Sequence, residues 1–373
     1  MPVTLTEVKT RRDMKRFVYL PEVINAGRPG WVPPLYDDDK AVLNPKKNPA
    51  LSYCDTVYML AWKDGKCVGR VAPIINHKYN DYAKVKTGRF GWFDAIDDLE
   101  VVKALVDFAE KWLKERGMTR IVGPMGFTEE DPEGFIFMGY HENPTLACYQ
   151  NTPIINEYME KLGYGKEIDW FVYKLDMIKA MSPLYKKLFE RASRSSLFRL
   201  KEFKSKKEIN AYIRPVIRLM NECFVDIYGY SPLSDEDVEH LAKRYMPLLE
   251  PRFIKVVETP EKEVIGFMVS IPNFSPGIVK ARGRLFPFGF IHILNAAKTT
   301  TQLDNYLGAV KAEYRGKGVD ILMGYAQMKT AVDAGFKIMD SHHEMEDNIP
   351  MRAEMERSGG EIYKKFRLYS KDL

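Results

Sequence analysis

The sequence has few of the features that mark secreted, metal-binding or membrane-spanning proteins. It has 4 cysteines in 373 residues and no Cys-x-x-Cys pair, so we expect neither a disulfide framework nor a metal site. No apolar run approaches the ~20 residues that a spanning helix needs. The first residues are charged almost at once, so no signal peptide is expected. These absences indicate a cytoplasmic protein whose thiols are reduced. The cysteines are Cys54, Cys67, Cys148 and Cys223.

The charge balance is also modest. The net charge is +5 and the isoelectric point about 8.7, which suits anionic small molecules or a membrane surface and is too weak to indicate nucleic acid. Hydrophobic residues make up 45% of the chain and aromatic residues 12%, enough to bury substantial cores. The length is suited to two domains.

The chain contains an internal repeat. Residues 6–14 (TEVKTRRDM) and 201–209 (KEFKSKKEI) share one order of acidic, apolar and basic residues. Each predicts a strand that leads into a helix, with Thr10 as the cap of one helix and Ser205 as the cap of the other. The alternative is a chance match of common elements.

A hairpin follows in each half. The first is predicted to turn at Asp64-Gly65 and the second at residues 259–261. Several residues in and after the hairpins recur at one spacing of 197 residues, which favours duplication. The pairs are Gly69 and Gly266, Asn76 and Asn273, Asn151 and Asn348, Pro153 and Pro350, and Gly163 and Gly360.

Later segments complete the repeat. Residues 100–117 and 318–335 have apolar residues at helical spacing and end at glycine, and a strand follows each. Asn151 and Asn348 are then predicted to cap one more helix in each half. The fold class is therefore α+β, with a mixed, mostly antiparallel sheet flanked by helices in each half.

The two halves predict two domains. We place the boundary within residues 176–197, which gives an N-terminal domain of residues 1–178 and a C-terminal domain of residues 179–373.

The order of elements, with RGKG at residues 315–318 between a strand and a long helix, resembles the GNAT acyltransferase fold. The N-terminal half also resembles a family of bacterial tandem-GNAT proteins, through GRPGWVPPLYDDDKAVLNPKKNP, DGKCVGRVAPIIN and GRFGWFDAIDD. That family includes proteins related to bacterial ceramide synthase, which N-acylates a sphingoid base from an acyl-CoA. The resemblance implies two tandem GNAT-like domains and an acyl-CoA-dependent N-acyltransferase.

The resemblance also implies a coenzyme site for acetyl-CoA or a longer acyl-CoA in the C-terminal half. In GNAT sites, backbone N–H groups at a helix N-terminus bind the pyrophosphate, and glycines let the backbone approach it. Arg315 and Lys317 add positive charge there, and N–H groups near Gly308 to Val310 would polarise the thioester carbonyl. The implied coenzyme-binding residues are Gly308, Ala309, Val310, Arg315, Gly316, Lys317, Gly318, Val319 and Asn348. Asn348 is expected mainly as a helix cap.

The sequence departs from the family pattern in this loop. Glu313 and Asp320 bring two carboxylates where an anion would bind, so the alternative is an inherited turn that no longer binds phosphate. The corresponding segment of the N-terminal half, residues 97–102 (DDLEVV), has three acids and no glycine. Only the C-terminal half is therefore expected to bind the coenzyme, with the N-terminal half shaping the acceptor side or supporting the core.

A second departure concerns the tyrosine that protonates the leaving thiolate in many GNAT enzymes. Met355 stands at that position in the C-terminal half, and Tyr158 stands there in the N-terminal half. We interpret Tyr158 as a packing residue, because its half lacks the glycine loop.

Candidate catalytic bases cluster in residues 340–348 (DSHHEMEDN). We rank Glu344 first and His343 second, because these side chains can accept a proton from an amine. In a strand, His342 and Glu344 would face one side and His343 the other. The alternative is a group of solvated residues at a strand end. Weaker candidates are His141 and His292.

Residues 282–298 (RGRLFPFGFIHILNAAK) form a largely uncharged stretch between basic residues. The stretch is too short to span a bilayer. One interpretation is an acyl-chain tunnel or an edge that contacts the membrane periphery, held by Arg282, Arg284 and Lys298 near anionic headgroups. The other is a segment packed into the core.

The sequence thus leaves several functions open. The first is an N-acyltransferase that uses an acyl-CoA and an amine acceptor, including a lipid amine such as a sphingoid base. Others are an acetyltransferase for a small amine or peptide, a non-catalytic acyl-CoA-binding protein, and transfer from an aminoacyl-tRNA, which the mild charge disfavours. The acceptor, the acyl chain length and the oligomeric state are not specified by the sequence.

Overall fold

The structure is a computed structural model that describes residues 2–146 and 148–373. The strands are β1 (Thr4–Glu7), β2 (Cys54–Thr56), β3 (Met59–Lys63), β4 (Lys66–Asn76), β5 (Thr87–Ala95), β6 (Arg120–Gly123), β7 (Phe135–Met138), β8 (Gly165–Asp176), β9 (Arg199–Glu202), β10 (Ile254–Glu258), β11 (Val264–Pro272), β12 (Gln302–Val310), β13 (Ile338–Asp340), β14 (Glu344–Met345) and β15 (Glu361–Asp372). The helices are α1 (Arg11–Ile24), α2 (Tyr36–Val42), α3 (His77–Ala83), α4 (Leu99–Lys114), α5 (Pro153–Lys161), α6 (Met177–Ala180), α7 (Pro183–Ala192), α8 (Lys206–Cys223), α9 (Asp235–Tyr245), α10 (Ser275–Ala281), α11 (Gly289–Thr299), α12 (Val319–Asp333) and α13 (Ile349–Arg357).

The chain forms two compact units, and each draws on both halves of the sequence. The first unit runs to Phe171 and adds Phe274–Ala296 and Tyr363–Leu373. The second unit consists of Val172–Asn273 and Ala297–Ile362. The boundary between residues 178 and 179 stays a prediction.

Both units have the same strand arrangement. In the first, β1, β3, β4 and β5 are antiparallel neighbours, β6 joins β5 in parallel, and β15 pairs antiparallel with β6. In the second, β9, β10, β11 and β12 are antiparallel, β13 joins β12 in parallel, and the end of β8 pairs antiparallel with β13. The predicted α+β class with a mixed, mostly antiparallel sheet is confirmed. Each unit is completed by the long strand from the other half of the sequence.

The repeat predicted from the sequence holds at its local signals. Thr10 caps α1 and Ser205 caps α8, each accepting a hydrogen bond from the backbone N–H three residues later. Asp64 and Gly65 both adopt positive φ at the β3–β4 turn, as a tight hairpin requires. The prediction for Asn151 is wrong. Thr152 precedes α5 instead, because the Asn151 side chain accepts from the Ile136 N–H and donates to its carbonyl across the loop.

Gly69 and Gly266 have the same structural role in the two units. Each lies in the second strand of a hairpin, directly beneath the long helix. A Cβ on Gly69 would lie 2.8 Å from a methyl of Leu105 in α4, and one on Gly266 would lie 2.8 Å from a methyl of Val319 in α12. The missing side chains let each helix pack close to its sheet. In the second unit, this close approach places the start of α12 over the end of β12.

We predict that Gly266→Ala lowers the free energy of unfolding by ~1–3 kcal/mol, because the added methyl overpacks the contact with Val319 and Met323. Urea unfolding measures the change. Gly165→Ala is the matched control, since a Cβ there meets nothing within 4 Å, and it should change stability by less than ~1 kcal/mol. Equal effects of the two variants would contradict this account of the helix contact.

Candidate active site

The two parallel strands of the second unit separate after a short stretch of pairing. The pairing of β12 with β13 ends at Asp304, whereas its pairing with β11 continues to Val310. The register between β11 and β12 skips Tyr306, which forms a bulge where the separation begins. Bulges bend a strand and redirect its side chains. Residues 305–310 therefore form an edge that β13 does not cover, which we call the open edge.

Backbone groups of the open edge point away from β11. The Lys311 N–H donates to the Ile265 carbonyl of β11 at 2.8 Å. Because antiparallel hydrogen bonds alternate along a strand, the N–H groups of Val310 and Gly308 are directed to the opposite side. The Val310 carbonyl has the same direction, since it accepts from Arg315 Nε at 3.1 Å. Two donors thus face one opening, two residues apart.

The loop after the open edge ends at a helix terminus without a side-chain cap. Gly316 and Gly318 have φ of 71° and 92°, and Gly318 is the cap residue of α12. No side chain of the described residues accepts from the first N–H groups of α12. A Cβ on Gly316 would meet nothing within 4 Å, so the loop surface is open to solvent. The α12 terminus therefore presents oriented donors and the positive end of the helix dipole to an anion.

The charges around this terminus partly offset one another. Lys311 Nζ lies 2.6 Å from Glu263 and 3.3 Å from Glu313, so the Lys311 ammonium partly neutralises the charge of the Glu313 carboxylate. The hydrogen bond with Glu263 raises the pKa of Lys311. Asp320 is exposed in the first turn of α12, and Lys317 Nζ lies 5.4 Å from the centroid of the Tyr314 ring. Neither carboxylate is buried in the loop.

Glu344 lies in β14, after the end of β13. Burial of its carboxylate raises its pKa from 4.5 to about 8. A carboxyl group with such a pKa is mostly protonated at neutral pH and becomes available to accept a proton from an ammonium group as the pH approaches 8. Glu344, the first-ranked base of the sequence analysis, thus has an environment suited to acid–base chemistry.

The predicted strand alternation of His342, His343 and Glu344 is wrong. β13 ends at Asp340, and His342 adopts a φ of 59°, which breaks the extended chain. The two imidazole rings therefore stack on each other, with centroids 4.8 Å apart and an interplanar angle of 3°. His342 also stacks on Tyr306 at 4.7 Å. This aromatic stack joins the open edge to the segment that contains Glu344.

Sequence reasoning missed Tyr306. An aromatic residue within a strand is ordinarily a packing residue, and nothing in the local sequence marks a bulge. It also missed Cys223, whose Sγ lies 3.7 Å from the Val310 carbonyl. Burial raises the pKa of the Cys223 thiol. All four cysteines are free thiols.

Three of the remaining candidates, Asn348, Met355 and Tyr158, have structural roles. Asn348 caps α13, its side chain accepting from the Met351 N–H. Met355 is buried, and Tyr158 packs against the core of the first unit, as predicted. His141 and His292 are exposed. No group of three or more His, Cys, Asp or Glu side chains positioned to hold a metal ion occurs in residues 2–146 and 148–373.

The equivalent opening in the first unit is closed. β5 and β6 pair only as far as Arg89 and Val122, but the next loop returns to β5, where the Met125 N–H donates to the Phe90 carbonyl at 2.8 Å. The first turn of α4 is capped by Asp98, which also binds Lys63 Nζ at 2.6 Å. A carboxylate of the protein thus occupies the place that stays open at α12.

Comparison with known proteins agrees with this arrangement. No protein-family model matches the chain. It is 27% identical to "Bacterial ceramide synthase" of Caulobacter vibrioides, over 100% of this chain and 98% of that protein. It is also 27% identical to "Protein YghO" of Escherichia coli K12, over 97% and 94%. A solved tandem GNAT protein from the clavulanic acid biosynthesis pathway superimposes over 99% of this chain and 98% of its own, with a TM-score of 0.59 at 12% identity. The chain has a tandem GNAT fold.

We predict that Glu344 makes the protein less stable as pH rises from about 5 to 8. Its pKa is higher in the folded state, so the folded protein binds this proton more tightly than the unfolded chain, and unfolding becomes easier as the pH passes through this window. The side chain introduced by Glu344→Gln is neutral at every pH, so this variant should lose less unfolding free energy than the wild type as the pH rises. Urea unfolding at pH 5.5 and 8.5 measures it. A stability difference between variant and wild type that does not change with pH would contradict the raised pKa.

Proposed function

We propose that the protein is an N-acyltransferase that moves an acyl group from a CoA thioester to an amine in its second unit. The observation that carries the proposal is that the open edge is followed directly by the uncapped N-terminus of α12. Donors that can polarise a carbonyl and donors that can bind a pyrophosphate then follow each other within one short segment. The tandem GNAT fold supports the same conclusion.

In this proposal the coenzyme lies along residues 308–319. The N–H groups at Gly316, Gly318 and Val319 bind the pyrophosphate, and Arg315 and Lys317 balance its charge. Ala309 and its neighbours Gly308 and Val310 line the thioester. The side-chain oxygen of Asn348 accepts a hydrogen bond from the Met351 N–H. Only the side-chain amide nitrogen is therefore available to the coenzyme.

The chemistry then follows from the two kinds of group in the site. Glu344 accepts a proton from the acceptor ammonium, with His343 as the second candidate. The free amine attacks the thioester carbon, the C–N bond forms, and the C–S bond breaks as the departing CoA thiolate takes up the proton that the attacking nitrogen loses. The N–H groups of Gly308 and Val310 donate to the carbonyl oxygen as it gains negative charge. Met355 cannot protonate the departing thiolate, so this step does not use the tyrosine of other GNAT enzymes.

For the acceptor we propose a lipid amine such as a sphingoid base. Support comes from the similarity to the bacterial ceramide synthase, which covers both chains almost fully. Acetylation of a small amine or peptide is the alternative within the same chemistry. A non-catalytic acyl-CoA-binding protein is favoured by one observation, the buried Met355.

We predict that calorimetry detects binding of palmitoyl-CoA, below its critical micelle concentration, and of acetyl-CoA more weakly. Gly316→Glu should lower the affinity at least tenfold, because its carboxylate repels the pyrophosphate at the α12 terminus. Gly359→Glu is the matched control, since Gly359 also has positive φ (82°) and open space around its Cα. The palmitoyl-CoA affinity of this variant should match that of the wild type.

The outcomes separate the hypotheses. Binding of palmitoyl-CoA with little binding of acetyl-CoA favours a long-chain donor. Equal binding of both favours an acetyltransferase. Absence of binding to CoA, acetyl-CoA and palmitoyl-CoA would overturn the proposal.

We further predict that acyl transfer to an amine has a kcat/KM that rises with pH to a plateau above about 8, since Glu344 acts only when ionised. Glu344→Gln should lower kcat by ~10²- to 10⁴-fold and leave palmitoyl-CoA affinity unchanged. Asp347→Asn, an exposed carboxylate in the same segment, is the control and should alter kcat by less than threefold. If palmitoyl-CoA binds but no long-chain amine, short amine or peptide is acylated, the protein is a binding protein.

A further inference from the structure

The segment between α10 and α11 exposes an unusual set of large apolar side chains. Phe286 and Phe288 are 73% and 70% exposed, and their loop belongs to the first unit. Leu294 is 56% exposed on the following helix. We call this set the apolar face. It consists of Phe286, Phe288, Phe290, Ile291 and Leu294.

The loop that presents the face is firmly held at its base. Arg284 forms two hydrogen bonds with Glu22 of α1, at 3.2 and 2.6 Å. The Leu285 N–H donates to Asp37 of α2 at 3.1 Å. The Gly283 carbonyl accepts from the Tyr36 N–H at 2.9 Å. Because the base is fixed, the phenylalanines are held out in solvent.

The helix that follows is divided into two sides. Ile293 and Ala296 are buried, and the close approach of the helix backbone to Gly277 leaves no room for a Cβ there. Phe290, Ile291 and Leu294 lie on the solvent side. The rings of Phe286 and Phe290 are 6.4 Å apart, so the loop and the helix form one continuous face. The core-packed interpretation therefore describes only the inner side of this segment.

The charged side chains of the segment itself have one sign, and the acidic Glu22 and Asp37 bind it at its base. Residues 275–303 contain no Asp or Glu and four basic residues, Lys280, Arg282, Arg284 and Lys298. Arg284 is paired with Glu22, while Lys280 and Arg282 are exposed. A face with large apolar side chains and a positive rim matches the interface of a bilayer that contains anionic lipids, where the apolar groups enter the acyl boundary and the cations meet phosphates.

We propose that the apolar face docks the first unit onto the surface of a bilayer containing anionic phospholipids. It lies in the interface and does not cross it, and none of the helices in the described part of the chain combines the length and the apolarity that crossing requires. A second copy of this chain fits less well, because a symmetric contact would bring Lys280 and Arg282 of both copies together. The proposal does not depend on acyl transfer.

Vesicle flotation tests this surface. We expect the protein to float with vesicles of phosphatidylcholine and phosphatidylglycerol (7:3), with at least tenfold weaker binding to phosphatidylcholine alone. Phe286→Ser/Phe288→Ser should reduce binding at least tenfold. Leu184→Ser/Leu197→Ser is the matched control, since those leucines are 67% and 58% exposed elsewhere, and it should bind like the wild type. All variants are checked for unchanged thermal unfolding, which is expected of exposed positions.

The rim is tested separately. Lys280→Gln/Arg282→Gln should weaken binding to the anionic vesicles, and Lys186→Gln/Lys187→Gln, at exposed bases of α7, should not. Absence of flotation with either vesicle, or equal binding by the phenylalanine variant, would overturn the proposal. A lipid-free dimer in light scattering that Phe286→Ser/Phe288→Ser dissociates would overturn it in favour of a second copy.

Discussion

The separation of β12 from β13 after Asp304 is the constraint on which the candidate site depends. While two strands are paired, their N–H groups are used in the sheet. Once they part, the N–H groups of Gly308 and Val310 have no ladder to join and face an opening instead. The bulge at Tyr306 lies where the strands part, and His342 stacks on the Tyr306 ring. The sheet thus gives up backbone hydrogen bonds along this edge.

The two units show how one architecture reaches opposite results. In the first, the loop after β6 returns to β5 and supplies the Phe90 carbonyl with a donor, and Asp98 fills the start of α4. In the second, neither closure occurs. The difference depends on a few residues, since the same order of strands and the same glycine beneath the long helix are present in both units. The first unit thus uses these backbone groups within the protein, whereas the second leaves the N–H groups of Gly308 and Val310 facing an opening.

Much of this fold could be predicted because it depends on local signals that recur. The caps Thr10 and Ser205, the Asp64-Gly65 turn and the paired glycines each determine one feature of the backbone. The candidate site was harder to predict from the sequence. The loop glycines and Glu344 were identifiable as residue types, but the raised pKa of Glu344 comes from burial, which depends on distant segments. The bulge at Tyr306 and the left-handed backbone conformation of His342 depend on where β13 ends, and no local sequence pattern specifies that end. Asn151 was mistaken for a cap because tertiary contacts use its side chain elsewhere.

The exchange of long strands has a consequence for synthesis. β6 receives its second partner from β15, which lies more than two hundred residues later in the chain. At typical translation speeds the ribosome needs roughly 10–50 s to make that interval. During this time the newly made first half would have an unpaired strand edge, of the kind that recruits other chains. The order of synthesis therefore creates a period when chaperones matter most, and cutting the gene between the two halves of the sequence would make that exposure permanent.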